Sequence, residues 1–402
     1  MTSALRAAAA RVTPAQVASV GLALVAGVAM RAVAERVARA TRGGLVDWEG
    51  AERIAAQRLA RAPGALPRRE LDRAVPDYEA AMHRIVPLLE QRLGASLPGV
   101  VERHRVVDRA GWASANMALF RELVGHLEGY LGIGLRERSL GADMALLANR
   151  YLTTRQIGFL LGYLGTRVLG QYDIALLSAE AAPGRLLFVE ENIRQTARAL
   201  GVPLASFRTW IALHETTHAY EMEAHPWVRP YLRERLERQL ALFLEEARAF
   251  QNNGVRHLAR RWRSAAAVGS LTGFMSPEQR GLLRETQLVM SLLEGFSDWV
   301  MDDVGSQVLP DVRSIRNRFE ARRSARRKGL DRIIARLTGL DLKLEQYRRG
   351  ERFVAGVHRV GGDRAIAHLW DGPHALPTER ELGDPASWVR RVVPESERPG
   401  TD

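Results

Sequence analysis

The most constraining stretch of this chain is Trp210-Ile211-Ala212-Leu213-His214-Glu215-Thr216-Thr217-His218-Ala219-Tyr220, where two histidines stand four positions apart and a glutamate follows the first. On a helix that spacing stacks both imidazoles on one face, about one turn apart, so they can grip a single metal ion. Two neutral imidazoles completed by a carboxylate suit zinc, and a catalytic zinc keeps a further position for water. Glu215 diverges from His214 by about 100° around the helix, which places it to act on that water as a general base. The stretch itself reads as helix. Pro203 lies near its start, Phe207, Trp210 and Ile211 recur in register with His214, His218 and Glu221, and His225-Pro226 ends it. One histidine on an apolar stripe is ordinarily a core residue satisfied by a carbonyl. Two at this spacing around a glutamate argue for a shared ligand.

A third ligand is expected downstream. Ser276-Pro277-Glu278-Gln279 has the form of a helix start, with a capping serine, proline in the first turn and glutamine three residues after the cap. The run through Val289, Leu292, Leu293, Phe296, Val300 and Val304 predicts a buried helix, which Gly305 is expected to stop. Glu294 and Asp298, at i and i+4, share one face of it. Buried carboxylates need a partner, and a metal ion with its histidines would provide one. Here the residues resemble the gluzincins, the thermolysin-like clan of metallopeptidases. By that resemblance Glu294 is the third zinc ligand and Asp298 holds a ligand histidine. The separation of about 76 residues between His218 and Glu294 is long for the clan and implies an insertion between the helices.

Composition narrows the remainder. With 402 residues, 46% of them hydrophobic, the chain can build a substantial core. The absence of Cys excludes a disulfide scaffold, thiol catalysis and thiolate ligands, and suits a reducing cytoplasm. A net charge of +12 gives an anionic partner a physical basis. The densest basic cluster, Arg322, Arg323, Arg326, Arg327 and Lys328, accompanies an apolar stripe of Phe319, Leu330, Ile333, Ile334 and Leu337. It reads as a solvated helix face. Without a nucleic-acid motif or interleaved aromatics, specific nucleic-acid binding is not expected.

Along the chain, residues 1–44 form a separate N-terminal helix or tail. Its apolar run, Val17 to Met30, is shorter than the roughly 20 residues of a membrane span. It predicts a packed or peripheral helix, with a signal or membrane anchor as the alternative, hence a cytoplasmic protein with peripheral membrane contact left open. From Asp47, a cap, to about Leu169, helix follows helix. Gly158, Gly162 and Gly165 mark close helix packing in a core rather than membrane pairing. Two short strands, 172–177 and 185–189, flank the turn at Ala182-Pro183-Gly184, so a small antiparallel sheet should precede the metal helix, its edge open to an extended peptide. The expected architecture is mainly α with a small antiparallel sheet. A single hydrolase domain would span 45–392, followed by a disordered tail at 393–402.

A closer resemblance rests on a set of segments. They are Gly170-Gln171-Tyr172-Asp173, Phe188-Val189 with Asn192, the Trp210 to His218 motif, Pro226-Trp227, Leu293-Glu294-Gly295, and the stretch from Leu340-Asp341-Leu342-Lys343 through Gln346-Tyr347 and Gly350 to Phe353. Together they are similar to a family of zincin-like hydrolases with no settled substrate, one branch of which is associated with biosynthesis of a deazaflavin coenzyme. The resemblance covers nearly everything from Asp47 to Val392 and implies a zincin-like metallopeptidase fold. An oxyanion donor is also required. Tyr347, Tyr220, His225 and His358 are candidates. Tyr220 points away from the ligand face and is assigned to the core, and Tyr347, beside Gln346, is preferred.

The expected reaction is zinc-assisted hydrolysis of an amide in a peptide or small molecule, with Glu215 as base and Zn2+ as the cofactor. Two rival readings come from other classes. One is a non-catalytic zinc-bearing partner protein of a coenzyme pathway. The other is a basic scaffold at nucleic acid or membrane.

Overall fold

The computed structural model describes residues 44–131, 140–173, 184–239, 241–242, 276–324 and 340–398. The N-terminal run and most of the basic stretch beyond residue 324 lie outside the described residues. No described helix is long and apolar enough to cross a membrane.

The chain divides into two compact units. In the first, made of described residues 44–55, 120–131 and 140–161, Asp47 caps the start of helix α1 (Trp48–Ala60), its Oδ1 accepting from the Gly50 N–H at 3.1 Å. The Asp47 N–H in turn donates to Thr154 Oγ1 at 2.9 Å. A Cβ at Gly158 would stand 2.6 Å from the Ala51 carbonyl oxygen, so this glycine serves close helix packing as expected.

The second unit carries the motif helix. Its elements in chain order include α2 (Arg68–Leu93), β1 (His104–Val107), the start of α3 (Arg109–Leu131), the end of α4 (Leu140–Gly165), β2 (Gly170–Asp173), β3 (Arg185–Val189), α5 (Glu190–Leu200) and α6 (Leu204–Glu223). They continue with α7 (Pro277–Val308), α8 (Val312–Ser324), α9 (Leu340–Ala367) and α10 (Pro385–Val392).

The sheet has the order β1-β3-β2. β2 runs antiparallel to β3 with Gly170 opposite Phe188, as expected, but β1 pairs parallel to β3 with His104 opposite Leu186, making the sheet mixed. The first predicted strand starts two residues early, at Gly170, and residues 174–177 lie outside the described residues.

α6 is buried almost all round, not along one stripe. Its buried hydroxyls are satisfied within the helix, Thr216 Oγ1 donating to Ala212 O at 2.7 Å and Thr217 Oγ1 to Leu213 O at 2.9 Å. Near its start Arg208 ion-pairs with the fully buried Glu190, which also accepts from the Tyr78 hydroxyl at 2.8 Å and from Arg194 Nε at 2.6 Å. Buried charge matched in this way ties α2, α5 and α6 together.

α7 begins with the expected capping box: Ser276 Oγ accepts from the Gln279 N–H at 3.1 Å, and Gln279 Oε1 accepts from the Ser276 N–H at 2.9 Å. Gly305 does not end the helix, which continues to Val308. A Cβ there would lie 3.0 Å from Val312 Cγ2, so this glycine lets α8 approach rather than terminating α7. A tighter contact joins α7 to α9. A Cβ on Gly350 would fall 1.9 Å from the Ser291 carbonyl oxygen, and one on Gly295 would fall 2.3 Å from the Gly350 carbonyl carbon. Gly350→Ala is therefore expected to lower stability by at least about 2 kcal/mol, read from chemical denaturation. Gly281→Ala on the same helix meets nothing within 4 Å and should be neutral or slightly stabilising.

Two arginines just before the basic cluster are engaged within the protein. Arg316 pairs with Asp302, Glu320 and Glu351, and Arg318 donates to the Leu200 and Gly201 carbonyls. At the other end the chain stays packed past residue 393: Val393 is buried, and Arg398 donates to its carbonyl at 2.9 Å.

Candidate metal centre

α6 and α7 bring together the three residues expected to bind metal. One ligand atom from each of His214, His218 and Glu294 lies within 4.8 Å of the others. The two Nε2 atoms are 3.2 Å apart. On a tetrahedral zinc at ordinary zinc–nitrogen lengths, two nitrogens sit about 3.3 Å apart.

The tautomers agree with that spacing. His218 Nδ1 lies 2.7 Å from Glu221 Oε2, and His214 Nδ1 lies 3.0 Å from Ser297 Oγ and 3.3 Å from Met301 Sδ. A carboxylate can only accept from the imidazole, so Glu221 keeps the His218 proton on Nδ1. That makes Nε2, which faces its neighbour, the nitrogen that would take a metal. Glu221 itself is fully buried, and its second oxygen, Oε1, has no hydrogen-bond partner. Two converging imidazoles, a carboxylate and an orphaned buried oxygen are a donor set that a dication would compensate. The residues fit zinc.

The charges within the protein point the same way. Burial pushes the Glu215 carboxyl up to about 7, opposed by His218 and reinforced by Glu294. Glu221 is likewise pushed up to about 7 by burial, opposed by His218. For His218 burial works against the imidazolium, but Glu221, Glu294 and Glu215 outweigh it and raise the ring to about 10.

Glu215 is 7% exposed and lies against Gly170 of β2. Against its burial, the Tyr172 backbone N–H lowers its pKa from the strand side. Asp298, one residue beyond Ser297, is half-buried, and its charge acts on both Glu221 and Arg316. Glu221, Ser297 and Met301 escaped the sequence reading. Glu221 alone left a signal, lying i+3 from His218 on the same helix face.

Of the oxyanion candidates, Tyr220 is in the core as expected, its hydroxyl donating to the Leu93 carbonyl. His225 stacks on Trp370 at 4.6 Å, and burial pushes it down to about 4. His358 pairs with Asp363 at 3.1 Å. None of the described contacts joins these three to the ligand residues. Tyr347 falls within α9, but its side chain lies outside the described residues.

A family model described as zincin-like metallopeptidase matches residues 46–389. The chain belongs to that family. It is also similar to a crystal structure described as "a putative hydrolase with a novel fold" from Chloroflexus aurantiacus, with 36% identity and a TM-score of 0.63 over 86% of this chain and 98% of that one. The curated proteins give no match.

Within this zincin-like protein, Glu221→Gln keeps the size of the side chain and removes its charge. Zinc affinity, measured by competition with a chromogenic chelator, is expected to weaken by roughly 10- to 100-fold. An unchanged affinity would mean that packing alone orients His218.

Proposed function

We propose that the protein is a zinc-dependent hydrolase of amide bonds, with a peptide as its substrate. In this reading His214, His218 and Glu294 hold the metal, Glu215 is the general base, and Asp298 adds negative charge behind the ligands. The observation that carries it is the convergence of the two Nε2 atoms and Glu294 next to a buried carboxylate that takes no part in ligation.

Zinc bound there would supply a Lewis acid that acidifies water and polarises an amide carbonyl. The remaining steps belong to the chain. A carboxylate pushed up to about 7 can take a proton near neutral pH and return it to a departing amine. β2 is an outer strand of the sheet, and Gly170 at its start lies against Glu215. An extended peptide adding to its edge would carry its amide bonds past the ligands.

The test is metal content by mass spectrometry, followed by hydrolysis of a fluorogenic peptide mixture with Glu215→Gln as control. About one zinc per chain and Glu215-dependent cleavage support the reading. A zinc-loaded protein that cleaves no amide would overturn it and leave a zinc-bearing partner protein in its place.

A further inference from the structure

Gly170 is not among the glycines with positive φ, so its own backbone does not require the absence of a side chain. Glu215 requires it. A Cβ at position 170 would lie 2.6 Å from Glu215 Cγ, 2.7 Å from Oε1 and 2.8 Å from Cδ, and these nearest atoms all belong to one side chain.

The strand is held so that it cannot shift to relieve such a clash. Strand alternation sets Gly170 and Tyr172 on one face and Gln171 on the other. On the far face Gln171 Oε1 accepts from Trp112 Nε1 at 2.7 Å and from Asn116 Nδ2 at 3.2 Å, while its Nε2 donates to Asn116 Oδ1 at 3.2 Å. On the near face the Tyr172 hydroxyl donates to Glu223 Oε1 at 2.7 Å, two turns along α6 from Glu215.

We propose that Gly170 is a positioning residue for the general base: its missing side chain forms the notch that seats Glu215. The inference rests on the role of Glu215 given above, yet the notch can be tested separately from that role.

Gly170→Ala adds only the Cβ and forces the Glu215 side chain out of the notch. A crystal structure of the variant should show the Glu215 carboxylate displaced by about 1 Å from its place against position 170, with His214, His218 and Glu294 unmoved. Zinc affinity should stay within about threefold, since no ligand moves. On the fluorogenic peptide mixture kcat should fall by about 10²-fold with KM nearly unchanged, as for a base displaced by about 1 Å. The double variant Gly170→Ala/Glu215→Asp, one methylene shorter, should regain the wild-type carboxylate position and part of kcat. A glycine with a merely structural role would lose melting temperature and zinc affinity together and would not be rescued.

An unmoved Glu215 carboxylate in Gly170→Ala overturns the proposal, whether or not the wild type cleaves peptides. A displaced carboxylate in a protein that cleaves nothing upholds the notch and removes the hydrolase reading instead. Should Gly170→Ala fail to fold, Gly170→Ala/Glu215→Ala, which removes the side chain that fills the notch, should fold, and its failure to do so would also overturn the proposal.

Discussion

Glu215→Gln is expected to lower peptide hydrolysis by about 10²- to 10⁴-fold while zinc content stays at the wild-type level. The residue sits next to His214 in sequence but outside the set of three converging ligand atoms. Glutamine has the same size and fits the space against Gly170. Only the base is removed. The same substitution should stabilise the fold when metal is chelated. A carboxyl whose pKa rises from 4.5 unfolded to about 7 folded disfavours the folded state as pH climbs through that window. The cost is absent below pH ~4, grows between the two pKa values and is complete above ~7, reaching about 3 kcal/mol. Denaturation at pH 8 with chelator should therefore show Glu215→Gln more stable than wild type, with the difference vanishing at pH 4. A variant that is more stable and inactive marks a group kept for chemistry at the expense of stability.

The parts of this site that were legible in the sequence are those set by local geometry. The i, i+4 spacing of His214 and His218 and the capping box at Ser276 each depend on one helix, so they survive translation into structure unchanged. Glu294 needed more, a second buried helix and a resemblance, because nothing local connects it to α6. The misses are non-local. β1 is four residues long, and its partner β3 lies beyond two helices and another strand, so no alternation within the segment announces it. Gly305 looks like a stop signal, yet it is a contact surface for Val312. Glu221 falls in register with the two histidines, yet nothing in the sequence assigns it or Ser297 a role. Their partners, the Nδ1 atoms of His218 and His214, come from rotamers and helix crossing, which no spacing rule encodes. Gly170 stood only within a segment shared with the family, and nothing there gave it a role of its own, since its importance is the volume that Glu215 takes up.

Glu294→Gln should weaken metal binding and hydrolysis together. Zinc held in a protein site is worth on the order of 10 kcal/mol or more, so losing one of its protein ligands should weaken affinity by about 10²- to 10³-fold. The variant should accordingly lose the rise in melting temperature that zinc gives the wild type, because that rise scales with metal concentration over Kd. The metal-free protein provides the control. Glu294 repels Glu215 and Glu221 but attracts protonated His218, so its charge makes opposing contributions that partly cancel. Neutralising it should move metal-free stability little. A residue that merely held α7 in place would behave in the opposite way, losing stability in chelator and in zinc alike. The decisive comparison is thus the melting temperature of wild type and Glu294→Gln, each with chelator and with added zinc: close agreement in chelator and a gap only in zinc identifies a ligand. A gap of equal size in both would remove Glu294 from the metal site and leave the two histidines without their carboxylate.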